Sequence, residues 1–193
     1  MNGYRRTRYR PAGGWRGERG PTQSAGMRGS SISLLSALLL ASTVSGCGAL
    51  TPTAPHSASV WPTVAEVQGR SFQLLNQARS QNGVAALRLD AQLSDIARKH
   101  SEHMRDEGFF GHVDPEGHDF VYRVESAGVS FSAVAENLAR TTDSTVPADL
   151  ANSLFLRNVD HRDNMLNPIF TEVGIGVAVR DHTYWITQLY LEP

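Results

Sequence analysis

A single cysteine, Cys47, stands among the 193 residues, which excludes an internal disulfide framework and any zinc cluster built on thiolates. An excess of one charge is also missing. Eighteen Lys and Arg against 19 Asp and Glu leave a formal net charge of −1, so the overall balance gives no reason to expect nucleic acid or an acidic surface as partner. No apolar run reaches the roughly 20 residues that a membrane-spanning helix needs; the most apolar stretch, Ile32 to Val44, has 13 and includes Ser and Thr. Several standard motifs are absent too: G-x-S-x-G, a phosphate-cradling glycine loop, H-E-x-x-H and a dinucleotide fingerprint. No repeat with a period of about 20–50 residues is visible. What remains, 40% hydrophobic and 19% charged, suffices for the core of one globular domain.

The averages conceal two unlike parts. Met1 to Gly29 is rich in Gly and Arg and poor in aliphatic residues. The Ile32–Val44 run follows, preceded by Arg28 and ending in the small residues Ser45-Gly46 before Cys47. A basic n-region, a short apolar core and a small-residue end make a secretory signal. Val44-Ser45-Gly46-Cys47 resembles a bacterial lipobox, in which the cysteine becomes the first residue and carries lipid; the bland alternative is an ordinary signal with a chance cysteine. A start at Met27 would give a signal of typical size, so residues 1–26 are expected to be a start-site error. Arg5-Arg6 lies too far from the apolar run for a twin-arginine signal, and an RNA contact by the basic Arg5–Arg10 run is the weaker reading.

The expected organisation is therefore a leader over 1–46, a Pro/Thr/Ser/Ala-rich flexible tether over 47–63 and a folded domain over 64–193. Eleven of the 18 basic and 18 of the 19 acidic residues lie from Cys47 onward. The mature part thus carries a net charge of −7, poorly suited to nucleic acid or anionic headgroups. Acylation of Cys47 would hold it at a membrane instead, since several acyl chains anchor stably. Gly48 after the cysteine would favour the outer membrane in a diderm cell.

Within the domain, periodicity predicts a helix from Val64 to Gln81 stopped by Asn82-Gly83, and a second capped by Asp90 that closes at Gly108. Asp119 caps a short helix ended by Gly128. Phe131 to Arg140 reads equally as strand and as loop. Pro147 suits the first turn of another helix, and Asp160 to Leu166 forms one more. The tail changes period: Val173, Ile175, Val177 and Val179 alternate with Gly174, Gly176 and Ala178, and a second strand from Thr183 to Leu191 follows the hairpin Arg180-Asp181-His182. The glycines let a helix or sheet approach closely. Helices first and strands last give an α+β layered domain.

All seven histidines lie in the mature part. His100 and His103, three apart on one helix, can share a metal, but His100 on the apolar face reads better as a hydrogen-bonded core residue and His103 as solvated. His56 and His182 suggest no role.

Taken together, Leu75-Asn76…Arg79, Asp90…Leu93…Ala97…His100-Ser101…Met104, Phe110…His112, Glu136-Asn137-Leu138-Ala139, His161-Arg162-Asp163-Asn164-Met165-Leu166, Phe170 to Gly176 and Trp185-Ile186-Thr187-Gln188 resemble the bacterial branch of the CAP superfamily (cysteine-rich secretory, antigen 5 and pathogenesis-related proteins). The resemblance runs from about Phe72 to Tyr190. It implies an α-β-α sandwich with a C-terminal antiparallel hairpin and a cleft lined by a His/Glu tetrad, here His112, Glu136 and His161. Asn158 stands where eukaryotic members have the second glutamate, and Phe155 where many relatives have Trp. By this resemblance His112, Glu136, Asn158 and His161 are the ligand-binding residues, and His112, Glu136 and His161 a candidate Zn²⁺ set. No catalytic residue is assigned, because Asn158 cannot take up a proton. The favoured function is a lipid-anchored envelope module that binds a lipid, cell-wall ligand or partner and requires no cofactor; the alternatives are a zinc-dependent, peptidase-like hydrolase and a purely structural envelope protein.

Overall fold

The computed structural model describes residues 61–193; the leader, the lipobox with Cys47 and most of the tether lie outside the described residues. Helix α1 (Val64–Gln81) starts at a capping box, in which Thr63 and Glu66 satisfy each other's backbone N–H groups. Helix α2 (Ala91–Glu107) begins where the Asp90 carboxylate accepts the Leu93 N–H and ends at left-handed Gly108. Helix α3 (Phe120–Ser126) is capped by Asp119, α4 (Pro147–Arg157) has proline in its first turn, and α5 (Val159–Leu166) is capped by Asn158.

The strands are β1 (Arg88–Leu89), β2 (Ala133–Thr142), β3 (Glu172–Arg180) and β4 (Thr183–Glu192). They form one mixed sheet in the order β1-β3-β4-β2, with β1 parallel to β3 and the other pairs antiparallel. Asp181 and His182 both take positive φ, 47° and 56°, as a two-residue hairpin turn between twisted strands requires. Two expectations change. The ambiguous 131–140 stretch is strand from Ala133 onward, paired with β4 along its whole length. Two-residue β1 is too short to carry a period and went unseen.

The alternation along the strands sorts side chains into two layers. Val173, Ile175, Val177, Ile186, Tyr190, Ala135 and Ala139 share a core with α1, α4 and α5. On the opposite face Leu189, Leu191 and Val134 pack with Leu93, Ile96 and Ala97 of α2 and Val124 of α3. Helix α2 lies so close to β3 that a Cβ on Gly174 would sit 2.2 Å from the Leu93 carbonyl carbon, and one on Gly176 2.1 Å from that of Ala97. Only glycine admits that approach. Ser101 Oγ then donates to the Gly176 carbonyl, and the Ile175 N–H donates to Ser94 Oγ.

Arg79, fully buried at the end of α1, donates to the carbonyls of Ala85, Met165, Asn167 and Phe170. Burial depresses its pKa, yet the four carbonyls satisfy the guanidinium and pin the α5–β3 connection to α1. The three-layer α-β-α architecture is thereby complete, with β2 as an edge strand among the described residues, α3 on one face and α5 on the other.

Candidate functional site

The chemistry collects along that β2 edge. Because side chains alternate on a strand, Glu136 and Asn137 point into opposite layers. Glu136 faces α2 and α3 and is 2% exposed. Its Oε1 lies 2.9 Å from His112 Nδ1 and its Oε2 accepts from Arg123 Nη2 at 2.9 Å. Burial would raise the pKa of this carboxyl, but His112, Arg123 and nearby His100 outweigh that and hold it below the ordinary carboxylate range. An ionised Glu136 is acceptor-only, so His112 carries its proton on Nδ1 and turns Nε2 away from the pair.

Three further contacts hold the segment that carries His112. His100 Nε2 reaches the Gly111 carbonyl at 3.0 Å, and Arg123 donates to the carbonyls of His112 and His118. His100 is 1% exposed, and desolvation lowers its pKa, in keeping with a core histidine. Arg123 was invisible to sequence reasoning. One arginine on a short helix, 13 residues from its carboxylate, follows no local pattern; a hint lies only in an unpartnered arginine beside a predicted core.

Asn137, on the other face, donates to the His161 carbonyl at 2.9 Å and to the Tyr190 hydroxyl at 3.2 Å, while its own Oδ1 accepts from Asn164. This fully buried amide therefore docks α5 against β2. The His161 ring meets Phe155 edge-on at 5.3 Å, and His112 meets Phe120 edge-on at 6.3 Å. Desolvation depresses the His161 pKa, and the proximity of His112 depresses it further. Two imidazoles from opposite layers thus flank the sheet edge. Among the described residues, hydrogen bonds to His161 involve only its backbone.

Asn158 stands at the junction of α4 and α5. Its Oδ1 accepts the His161 N–H at 3.1 Å and caps α5, so the side chain orients a cleft residue through the backbone. Each Glu136 oxygen accepts one hydrogen bond, from His112 and from Arg123. A catalytic zinc centre takes three protein ligands, and this edge offers two imidazole nitrogens. Among the described residues the ligand atoms of His112, Glu136 and His161 do not all lie within 4.8 Å of one another, so the set as folded does not present three converging zinc ligands. The His/carboxylate group whose ligand atoms lie within 4.8 Å of one another among the described residues is His103, Asp114 and Glu116.

With this geometry in place, the comparisons decide the family. The sequence matches the cysteine-rich secretory protein (CAP) family over residues 72–190. The chain is a CAP-domain protein. The domain is similar to Bacillus subtilis YkwD, an uncharacterized protein, at 30% identity over 72% of this chain and 50% of that one. The Bacillus subtilis membrane protein YlbC matches at 31% over 58% of this chain and 32% of its own length. The chain thus spans half or less of these relatives. Among solved structures, an extracellular SCP-domain protein of Bacillus anthracis superposes with a TM-score of 0.58 and 30% identity, covering 67% of this chain and 43% of that one. An outer surface protein of Borrelia burgdorferi gives 0.62 at 15% identity, covering 68% and 96%; that likeness concerns the fold. These CAP-domain neighbours are extracellular or surface proteins, and no described helix of this chain is long and apolar enough to cross a membrane.

Proposed function

We propose that this CAP domain is a ligand- or partner-binding module of a bacterial cell envelope, tethered by acylated Cys47 to the outer face of a membrane, the outer membrane in a diderm cell. The ligand, a lipid or cell-wall fragment, would engage the His112–His161 edge. The observation that carries this reading is the pair of imidazoles turned to a sheet edge, one oriented by the buried Glu136–Arg123 pair and the other by the Asn137 and Asn158 contacts. An imidazole in its neutral form offers one donor and one acceptor nitrogen, which suits polar headgroups and sugar hydroxyls.

Binding is favoured over hydrolysis by the state of the carboxylate. A general base must be able to take up a proton near neutral pH, whereas Glu136 is held ionised between a guanidinium and an imidazole. Position 158, where a second carboxylate would stand, holds the Asn that caps α5.

The test is native mass spectrometry of the full chain isolated from its own host. A co-purifying small molecule in the wild type that is lost in both His112→Ala and His161→Ala would support the reading. Retention of that molecule in both variants, or a wild type that carries none, would overturn the cleft. For the anchor, Cys47→Ser should abolish acylation; an acylated variant would refute it.

A further inference from the structure

A second cluster of imidazoles and carboxylates lies outside the cleft, on the outer side of the same segment. His103 projects from the last turns of α2. Asp114, Glu116 and His118 alternate along the turn that follows, where the Gly117 N–H donates to the Asp114 carbonyl. His103 Nε2 lies 3.6 Å from Glu116 Oε2, and His103 Nδ1 lies 4.0 Å from Asp114 Oδ2. On the other side His118 Nδ1 is 3.4 Å from Asp114 Oδ2.

Two features set this group apart from a scatter of surface charges. First, the Asp114 side chain is only 5% exposed. Its Oδ1 is satisfied by the His118 N–H at 2.7 Å, but Oδ2 is aimed between two imidazoles, farther from both than a normal hydrogen bond. Second, the spacing suits an ion. Ligands at roughly 2.0–2.1 Å from a tetrahedral zinc stand about 3.3–3.5 Å from one another, and one ligand atom from each of His103, Asp114 and Glu116 can be taken so that all lie within 4.8 Å of one another. Glu116, with a side chain 54% exposed, has room to shift toward the other two donors.

We propose that His103, Asp114 and Glu116 form a divalent-cation site of the zinc class, with the fourth position open to water. Mixed imidazole and carboxylate donors are the set that zinc accepts and calcium and magnesium do not favour. The ion cross-links α2 to the turn at 114–118. Because Arg123 bonds the His118 carbonyl as well as His112 and Glu136, the bound ion steadies the segment that presents His112. The site is separate from the cleft and does not depend on what the cleft binds.

Zn²⁺ titration of the full chain by calorimetry, with Co²⁺ absorption as a probe of tetrahedral donors, tests it. Wild type and His161→Ala should bind zinc alike. His103→Gln should weaken binding by at least about tenfold, since loss of an outer-shell partner alone costs about 10- to 100-fold, and Glu116→Gln, at an exposed position where folding is not at risk, should weaken it as well. Absence of zinc binding by the wild type, unchanged affinity in Glu116→Gln, or loss of binding in His161→Ala alone would overturn the site.

Discussion

Two sets of imidazoles and carboxylates lie within one stretch of chain and behave differently because of where they are buried. In the inner set, Glu136 is fully enclosed and its charge is balanced by Arg123 and His112. In the outer set, Asp114 has no arginine within ion-pair distance among the described residues, and its nearest partners are His103 and His118. The comparison teaches that residue type alone does not make a site. A guanidinium turns the inner carboxylate into a structural pivot that aims an imidazole. The outer carboxylate feels Arg123 only from beyond ion-pair distance, which leaves room for the cation we propose.

The largest effect should come from removing the inner countercharge. Arg123→Met leaves Glu136 buried beside the imidazoles of His112 and His100 with no guanidinium, a loss of about 3–5 kcal/mol that thermal melts would register as a fall in Tm of roughly 10 °C or more. If the variant melts like wild type, the inner pair is not the pivot described. At the outer set, in metal-free buffer, His103→Gln should stay within about 0.5 kcal/mol of wild type; a drop as large as that of Arg123→Met would erase the contrast.

Acid should separate the sets further. His100 and His161 have folded-state pKa values below the ordinary histidine value, so the unfolded chain binds more protons as pH falls. Their stabilising contribution is complete above about pH 6.5 and is lost as pH falls through the depressed folded values. Glu136, also depressed, adds a further loss below the ordinary carboxylate range. Chemical denaturation at a series of pH values should show stability declining from about pH 6.5 downward, with a shallower decline in His161→Gln. An equal slope in that variant would mean that the His161 ring is not desolvated.

A smaller effect is expected at Asn158. Replacing this cap by Ala should cost about 1 kcal/mol, whereas Asn158→Asp should keep the cap. Asn158→Glu, which restores the residue type of eukaryotic relatives, should behave like the Ala variant in denaturant melts, because a longer side chain does not reproduce the short Asn cap. Full stability in Asn158→Glu would show that the capping hydrogen bond is dispensable.

Much of the framework was legible along the chain because it rests on local rules. Asp90, Asp119 and Pro147 mark helix starts wherever they fold, and Gly174 and Gly176 forecast the close approach of a helix. β2 was half-legible, since both of its faces are covered over most of its length and the alternation that would announce a strand is muted. The site residues His112, Glu136 and His161 were located by family resemblance, not by spacing, because their separations of 24 and 25 residues match no helical or strand period.

By itself, then, the sequence determined the order of the longer elements, the caps at Asp90 and Asp119 and the glycine face of β3, all consequences of backbone preferences acting over a few residues. Only the tertiary structure decided which carboxylate meets which cation. Arg123 reaches Glu136, Asn158 turns to cap α5, and His103 comes to face Asp114 and Glu116 because sheet closure and helix docking bring distant positions together. Charge pairing acts through space at a few ångströms, and no period along the chain encodes it.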